Sequence, residues 1–177
     1  MDLNIIGTYN VFEAAKKAGV ERVVFASSNH VSHMNNIGDP SAPETMTTDA
    51  SVVHPDDPAA PDSYYGVSKL LGEGLATVYA NRYGQEFVNL RIGWYLKPDE
   101  LKGYQQENEN KARYARAMYL SPQDCRDVVR VAVESKLPEN PLTVNAVSNN
   151  TDRYMSITET MRSIGFEPQD DSKKELN

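Results

Sequence analysis

Tyr65 and Lys69 stand four residues apart in the run PDSYYGVSK, residues 61–69. On a helix that spacing stacks the two side chains one turn apart on a single face, within reach of a common ligand. A phenol with its ordinary pKa of about 10 holds its proton too tightly to act as a base at neutral pH. A neighbouring ammonium favours the phenolate and brings that value toward a working range, which is the chemical use of such a pair. Tyr64 shares a face with Ser68 instead. Tyr-x-x-x-Lys also arises wherever a tyrosine packs and a lysine is solvated, so the spacing alone leaves both readings open.

A second polar group, Ser27-Ser28-Asn29-His30, closes the apolar run that starts at Arg22. Ligands of open α/β sheets sit beyond the carboxyl ends of the strands, so a serine hydroxyl there can hydrogen-bond a substrate oxygen beside the phenol. The competing readings are a loop cap for Ser28 and a surface position for His30. The run EFVNLRIG, 86–93, also ends on a charge. Arg91 is costly to bury unpaired. It either meets a protein carboxylate or offers its planar fork to an anionic substrate.

These residues need elements to place them. Apolar spacing predicts a helix over 2–18, stopped by Gly19, then a buried strand over 22–27. A polar, proline-rich loop is expected from 29 to 62, of a length that in compact domains is usually functional or disordered. A helix over 63–83, capped by Asp62 or Ser63 and ended by Gly84, would carry its apolar face on Leu70, Leu71, Leu75, Val78 and Tyr79, of which Leu71, Leu75 and Val78 suit a dimer interface equally well. A second strand over 86–93 follows. Residues 94–120, with the cluster QQENENKAR, read as irregular and solvated. Ser121 caps another helix with proline at its first position; LTVNAVS is a third strand, SITETMRSIGF a last helix, and the polar tail after Pro168 is expected to fray. Helix alternating with strand argues for an α/β layer fold with a mostly parallel sheet. Three strands are few for such a sheet, and the opening helix has no strand to return from. The chain is therefore expected to be the C-terminal part of a larger doubly wound domain, with 1–168 forming the partial domain and 169–177 the tail.

Composition narrows the partners. A formal charge of −7 over 177 residues argues against a nucleic-acid surface. It suits either a salty cytoplasm or ordinary solubility. No apolar run approaches the ~18 residues that cross a membrane, and the N-terminus lacks the layout of a signal peptide. With a single cysteine, Cys125, an internal disulfide framework is ruled out and a cytoplasmic location expected. His30, His33 and His54 share one loop without ligand spacing, so no metal site is expected.

A serine ending a strand, Tyr-x-x-x-Lys opening the next helix and a strand ending in RIG together resemble the extended short-chain dehydrogenase/reductase family of NAD-dependent sugar epimerases, dehydratases and dehydrogenases. The opening NIIGTYNVFEAAKKAGVERVVFASS is similar to that family's fourth helix and fifth strand. The resemblance implies an incomplete Rossmann-like fold and NAD as cofactor, with NADP also open. It makes Tyr65 the catalytic base and Lys69 the group that lowers its pKa and holds the nicotinamide ribose. Ser28 would position the substrate hydroxyl, and Asn4 would be the helix asparagine of the active-site tetrad. Ser27 and Ile92 would join Tyr65 and Lys69 on the cofactor side.

SSNHV, LRIGWYL, YLSPQDCRDVV and SNNTDRYMS resemble the uronate and haloarchaeal glucose-6-phosphate dehydrogenase branch. That implies sugar-hydroxyl contacts for Asn29 and His30, an anion contact for Arg91, and a place near the sugar pocket for Arg153 and Tyr154. Two departures matter. Ser32 and His33 stand where epimerases carry Tyr and Gly, and no Gly-x-x-Gly-x-x-Gly follows a strand, so about the first third of the expected domain is missing. The implied activity is NAD-dependent oxidation of a hexuronate or hexose phosphate at the anomeric carbon to a lactone. A nucleotide-sugar epimerase and a truncated, inactive or dimerising remnant are the alternatives. The implied partners are a small sugar and a second copy of the chain, met through the helix carrying Tyr65.

Overall fold

The computed structural model describes residues 2–176. Three strands, β1 (Arg22–Ser28), β2 (Glu86–Ile92) and β5 (Leu142–Ala146), form a parallel sheet in the order β1-β2-β5. The register runs from Arg22 against Glu86 to Ser28 against Ile92, and from Val88 against Leu142 to Ile92 against Ala146. All three carboxyl ends are therefore level. Helices cover both faces, as parallel strands require. On one side α1 (Asp2–Lys17) and α2 (Tyr64–Tyr83) pack through Phe12, Ala76, Tyr79 and Ala80 on Phe25 and Phe87. On the other, α5 (Pro122–Glu134) and α6 (Thr158–Ile164) pack through Val128, Ala132 and Ile164 on Val88, Leu90 and Val144. The strand period of two explains the split in β2: Phe87, Asn89 and Arg91 point one way, Val88, Leu90 and Ile92 the other. This is a Rossmann-like α/β arrangement.

α2 packs differently from the expectation. Its buried side is a row of small residues, Gly72, Ala76 and Ala80, with Tyr79, whereas Leu71 and Val78 are exposed. The close approach has a reason at Gly72, where an added Cβ would lie 2.3 Å from the tip of the Phe25 ring. α1 likewise buries Phe12 and leaves Leu3, Ile6, Tyr9 and Val11 exposed.

Residues 94–120, expected to be irregular, are ordered as β3 (Trp94–Tyr95), α3 (Pro98–Tyr104), α4 (Glu109–Met118) and β4 (Tyr119–Leu120), with β3 and β4 paired in parallel. Proline opens α3, and the Asn108 side chain accepts the Lys111 N–H at the start of α4. The polar cluster that masked α4 is its outer surface. Its inner side, Ala112, Tyr114, Ala115 and Met118, is fully buried. The tail is not frayed either. A final turn, α7 (Ser172–Glu175), is capped by Asp171, the Ser172 N–H donates to Asn150, and Ser172 is buried.

The long segment between β1 and α2 contains two 3-10 turns, Asn29–Val31 and Met34–Asn36, and is anchored by a few buried residues between exposed ones. Val31, His33, Met46 and Val53 are buried, and Val53 bridges Met155. No helix among the described residues is long and apolar enough to cross a membrane.

Candidate active site

The site lies where β1 and β2 end and α2 begins. Ser28 closes β1 and caps the first 3-10 turn, its hydroxyl accepting the His30 N–H at 3.3 Å. Ser63 caps α2 by accepting the Gly66 N–H at 3.1 Å. The two turns touch. The Asp62 N–H donates to the His30 carbonyl, and a Cβ on Gly66 would fall 2.3 Å from that same oxygen. Glycine at 66 is therefore what allows the first turn of α2 to rest on the turn carrying His30.

Tyr65 is 46% exposed. The Lys69 Nζ sits 5.6 Å from its ring centroid and donates to the Ala26 carbonyl of β1 at 2.8 Å. Partial burial pulls the Lys69 pKa below its ordinary value. The His30 ring meets the Tyr65 ring edge-on, centroids 5.7 Å apart. The structure thus gathers Tyr65, Lys69, Ser28 and His30 at one strand end. Asn4 reaches α2 through Ser68, its Nδ2 donating to Oγ at 3.2 Å, while Ser68 donates to the Tyr65 carbonyl.

His30 is held from both sides. Nδ1 is 2.6 Å from Oδ2 of Asp62, whose side chain is fully buried, and Nε2 is 3.4 Å from the Tyr114 hydroxyl. Asn29, also buried, donates from Nδ2 to the same Tyr114 hydroxyl at 2.6 Å. Behind them His33 is fully buried between the Thr45 carbonyl, 2.8 Å from Nε2, and the Tyr154 hydroxyl at Nδ1. Burial pulls His33 down to about 4, and lifts the phenols of Tyr114 and Tyr154 above their ordinary range, so all three are neutral at pH 7. The Arg153 guanidinium donates to the Asn150 carbonyl.

The choice left open at Arg91 is decided by the structure. The Arg91 fork closes on Glu73, with Nε 3.0 Å from Oε1 and Nη2 2.9 Å from Oε2, and Nη1 donates to Ser32 Oγ and the Pro55 carbonyl. Both partners are buried. Of the two readings open for this arginine, a protein carboxylate has taken the place of a substrate anion. The Ser27 hydroxyl donates its proton to the same Glu73, which leaves its oxygen as an acceptor only. Ile92 points into the core against α5 and α6, on the opposite face of the sheet from Arg91.

Asp62, Glu73 and Tyr114 were not singled out from the sequence. Asp62 offered a signal, because it competed with Ser63 for the cap of α2; the serine takes the cap and frees the carboxylate for His30. Tyr114 was hidden in the polar cluster of α4. Glu73 lay in the interior of a helix, where only the charge at Arg91 implied a partner.

Tyr65 and Lys69 fit the nicotinamide-ribose side of a dinucleotide, being at the strand ends and reachable from solvent. The chain has no glycine-rich loop after a strand to receive the pyrophosphate.

Residues 1–125 match the model of the NAD dependent epimerase/dehydratase family. Over 97% of its length the chain is 56% identical to L-arabinose 1-dehydrogenase (NAD(P)(+)) of Haloferax volcanii, of which it covers 67%. It is 32% identical to the NAD-dependent glucose-6-phosphate dehydrogenase of the same organism, over 96% of this chain and 61% of that one. Among solved structures, a uronate dehydrogenase variant from Agrobacterium tumefaciens complexed with NAD superposes with a TM-score of 0.74 at 29% identity, covering 97% of this chain and 55% of that one. The chain thus spans between about half and two-thirds of the length of these relatives. With the family model matching residues 1–125 and a relative 56% identical over 97% of its length, the chain belongs to the NAD-dependent epimerase/dehydratase family.

Proposed function

We propose that the chain carries the catalytic and sugar-binding part of an NAD(P)-dependent dehydrogenase that oxidises a neutral aldose at its anomeric carbon to a lactone. The cofactor supplies the hydride acceptor. Tyr65 takes the proton of the anomeric hydroxyl, with the Lys69 ammonium one turn away favouring the phenolate, and Ser28 shares the hydrogen bond to that oxygen. Asn29 and His30 recognise further hydroxyls.

The observation that carries the neutral substrate is the closure of Arg91 on Glu73. A hexuronate or a hexose phosphate brings an anion that needs a free cation, and the group named for that task is already neutralised inside the protein. The groups that touch His30 and its neighbour Asn29 are a carboxylate, an amide and phenols, none of them a cation for a substrate anion. A relative 56% identical over 97% of this chain is named for L-arabinose, a sugar without an ionised group, which supports the same choice over the 32% identical relative named for glucose 6-phosphate.

The test measures NADH and NADPH formation with L-arabinose, glucuronate, galacturonate and glucose 6-phosphate. The chain is assayed as it is, and joined to the N-terminal segment of the Haloferax arabinose relative. Preference for the neutral aldose is expected, and Tyr65→Phe should lower turnover at least ~100-fold, the scale of a general base, while leaving the fold unchanged. Turnover on the anionic sugars in place of arabinose, or full activity of the Phe variant, refutes the reading. Self-association through the exposed Leu71 and Val78 of α2 belongs to the same proposal, and sedimentation of a Val78→Lys variant against the unaltered chain tests it.

A further inference from the structure

The pairing of Asp62 with His30 reaches beyond substrate contact. The Asp62 carboxylate can only accept, so the 2.6 Å contact at Nδ1 requires a proton on that nitrogen. Its other oxygen accepts from the Ser63 hydroxyl at 2.7 Å, which leaves the carboxylate anchored at both ends of its plane. The Tyr114 hydroxyl accepts from Asn29 Nδ2 at 2.6 Å, and its own proton is then directed at His30 Nε2 across 3.4 Å, the limit of a hydrogen bond. All four groups agree on one tautomer: proton on Nδ1, lone pair on Nε2. The lone pair is weakly engaged, and the ring carrying it stands edge-on beside Tyr65.

We propose that Asp62 is a positioning residue that fixes His30 as the Nδ1–H tautomer, so that Nε2 is presented as an acceptor to a hydroxyl of the sugar bound next to Tyr65. This deepens the sugar-dehydrogenase reading and rests on it for the identity of the ligand, whereas the tautomer itself does not. His33 provides an internal contrast. Its Nε2 faces a carbonyl, which can only accept, and its Nδ1 faces a phenol that can donate, so it must carry its proton on the opposite nitrogen.

The experiment is a long-range proton–nitrogen correlation on the histidine-labelled chain, in which the two tautomers have distinct signatures. His30 is expected with its proton on Nδ1 and His33 with its proton on Nε2, in one spectrum. Asp62→Asn places an amide that can donate toward Nδ1, and should move His30 toward the Nε2–H form while His33 keeps its signature, which also reports an intact fold. In the joined enzyme the same variant should lose about 10–100-fold in kcat/KM for the sugar, one misdirected hydrogen bond, with KM for NAD unchanged. Adding Asp62→Asn to His30→Gln should then cost little more than His30→Gln alone. His30 carrying its proton on Nε2 in the unaltered chain, an unmoved tautomer in the variant, or losses that multiply in the double variant would overturn the proposal. If the joined enzyme oxidises no sugar while the tautomers behave as described, the sugar reading fails and the positioning role stands.

Discussion

Acidification from pH 7 to pH 5 should cost the folded chain about 2 kcal/mol through His33 alone. The imidazole is fully buried, with Nε2 donating to the Thr45 carbonyl and Nδ1 accepting from Tyr154, so the neutral ring is satisfied on both sides. A second proton would face the Tyr154 hydroxyl and force it to give up its role as donor. Burial accordingly holds the pKa at about 4, against 6.5 for a free histidine. The sign follows from proton counts: below pH 6.5 the unfolded chain binds a proton that the folded chain refuses, so stability falls as pH falls. At pH 5 the ratio of the two binding polynomials is about 30, or ~2 kcal/mol, and the loss approaches ~3 kcal/mol as pH nears 4. Carboxylates held low, such as Glu13 and Asp171, titrate below this window. Urea unfolding at pH 7 and pH 5, on the chain and on His33→Gln, measures the difference. Removing the histidine should flatten the slope even though the variant is less stable at pH 7. An identical slope in both proteins would show that His33 is not the group that titrates, and the account of its burial would be wrong.

Three further outcomes follow from the same geometry. Gly66→Ala puts a methyl 2.3 Å from the His30 carbonyl, so the turn or the helix must shift; about 1–3 kcal/mol of stability should be lost, read by thermal unfolding, and the edge contact of His30 with Tyr65 should be lost from the histidine spectrum. Glu73→Gln leaves the Arg91 guanidinium buried without its countercharge and with one Nη or Nε donor facing an amide NH2, at a cost of about 3–5 kcal/mol by urea unfolding, whereas Glu73→Leu combined with Arg91→Met should cost clearly less. His54, paired with Glu159 at 2.7 Å, has its pKa raised mainly by that hydrogen bond; the pair's stabilising effect is complete below pH 6.5 and is lost as pH rises through the His54 value, and a proton titration by NMR should place His54 above His33.

The layer order was legible in the sequence because strands of a parallel sheet read as short, mainly apolar, β-branched runs, as the Val23–Ala26 stretch of β1 and Phe87, Val88, Leu90 and Ile92 of β2 do. The start of α2 was legible from its cap. What escaped was decided by contacts distant in sequence. Tyr114 comes 84 residues after His30 on a helix whose outward residues are nearly all polar, and its small inner alanines gave no apolar stripe to detect. On α2 the sequence found Tyr79 and Leu75 but not the rest of the inward side, because close packing selects Gly72, Ala76 and Ala80 over the leucines that hydrophobicity favours. The choice at Arg91 between a protein carboxylate and an anionic ligand depended on Glu73 crossing from the helix to the strand, which no local pattern encodes.

Arg91 also determines how the segment between β1 and α2 can move. Its Nη1 grips that segment at Ser32 and again at Pro55, while the rest of the guanidinium is bonded to the helix behind. A stretch of chain staked at both flanks to one dry ion pair cannot swing outward as a flap without exposing the pair and stripping one side of its partners, at several kcal/mol. The wall that carries Asn29 and His30 is thus a stationary jamb, and any door to this pocket must hang on other hinges.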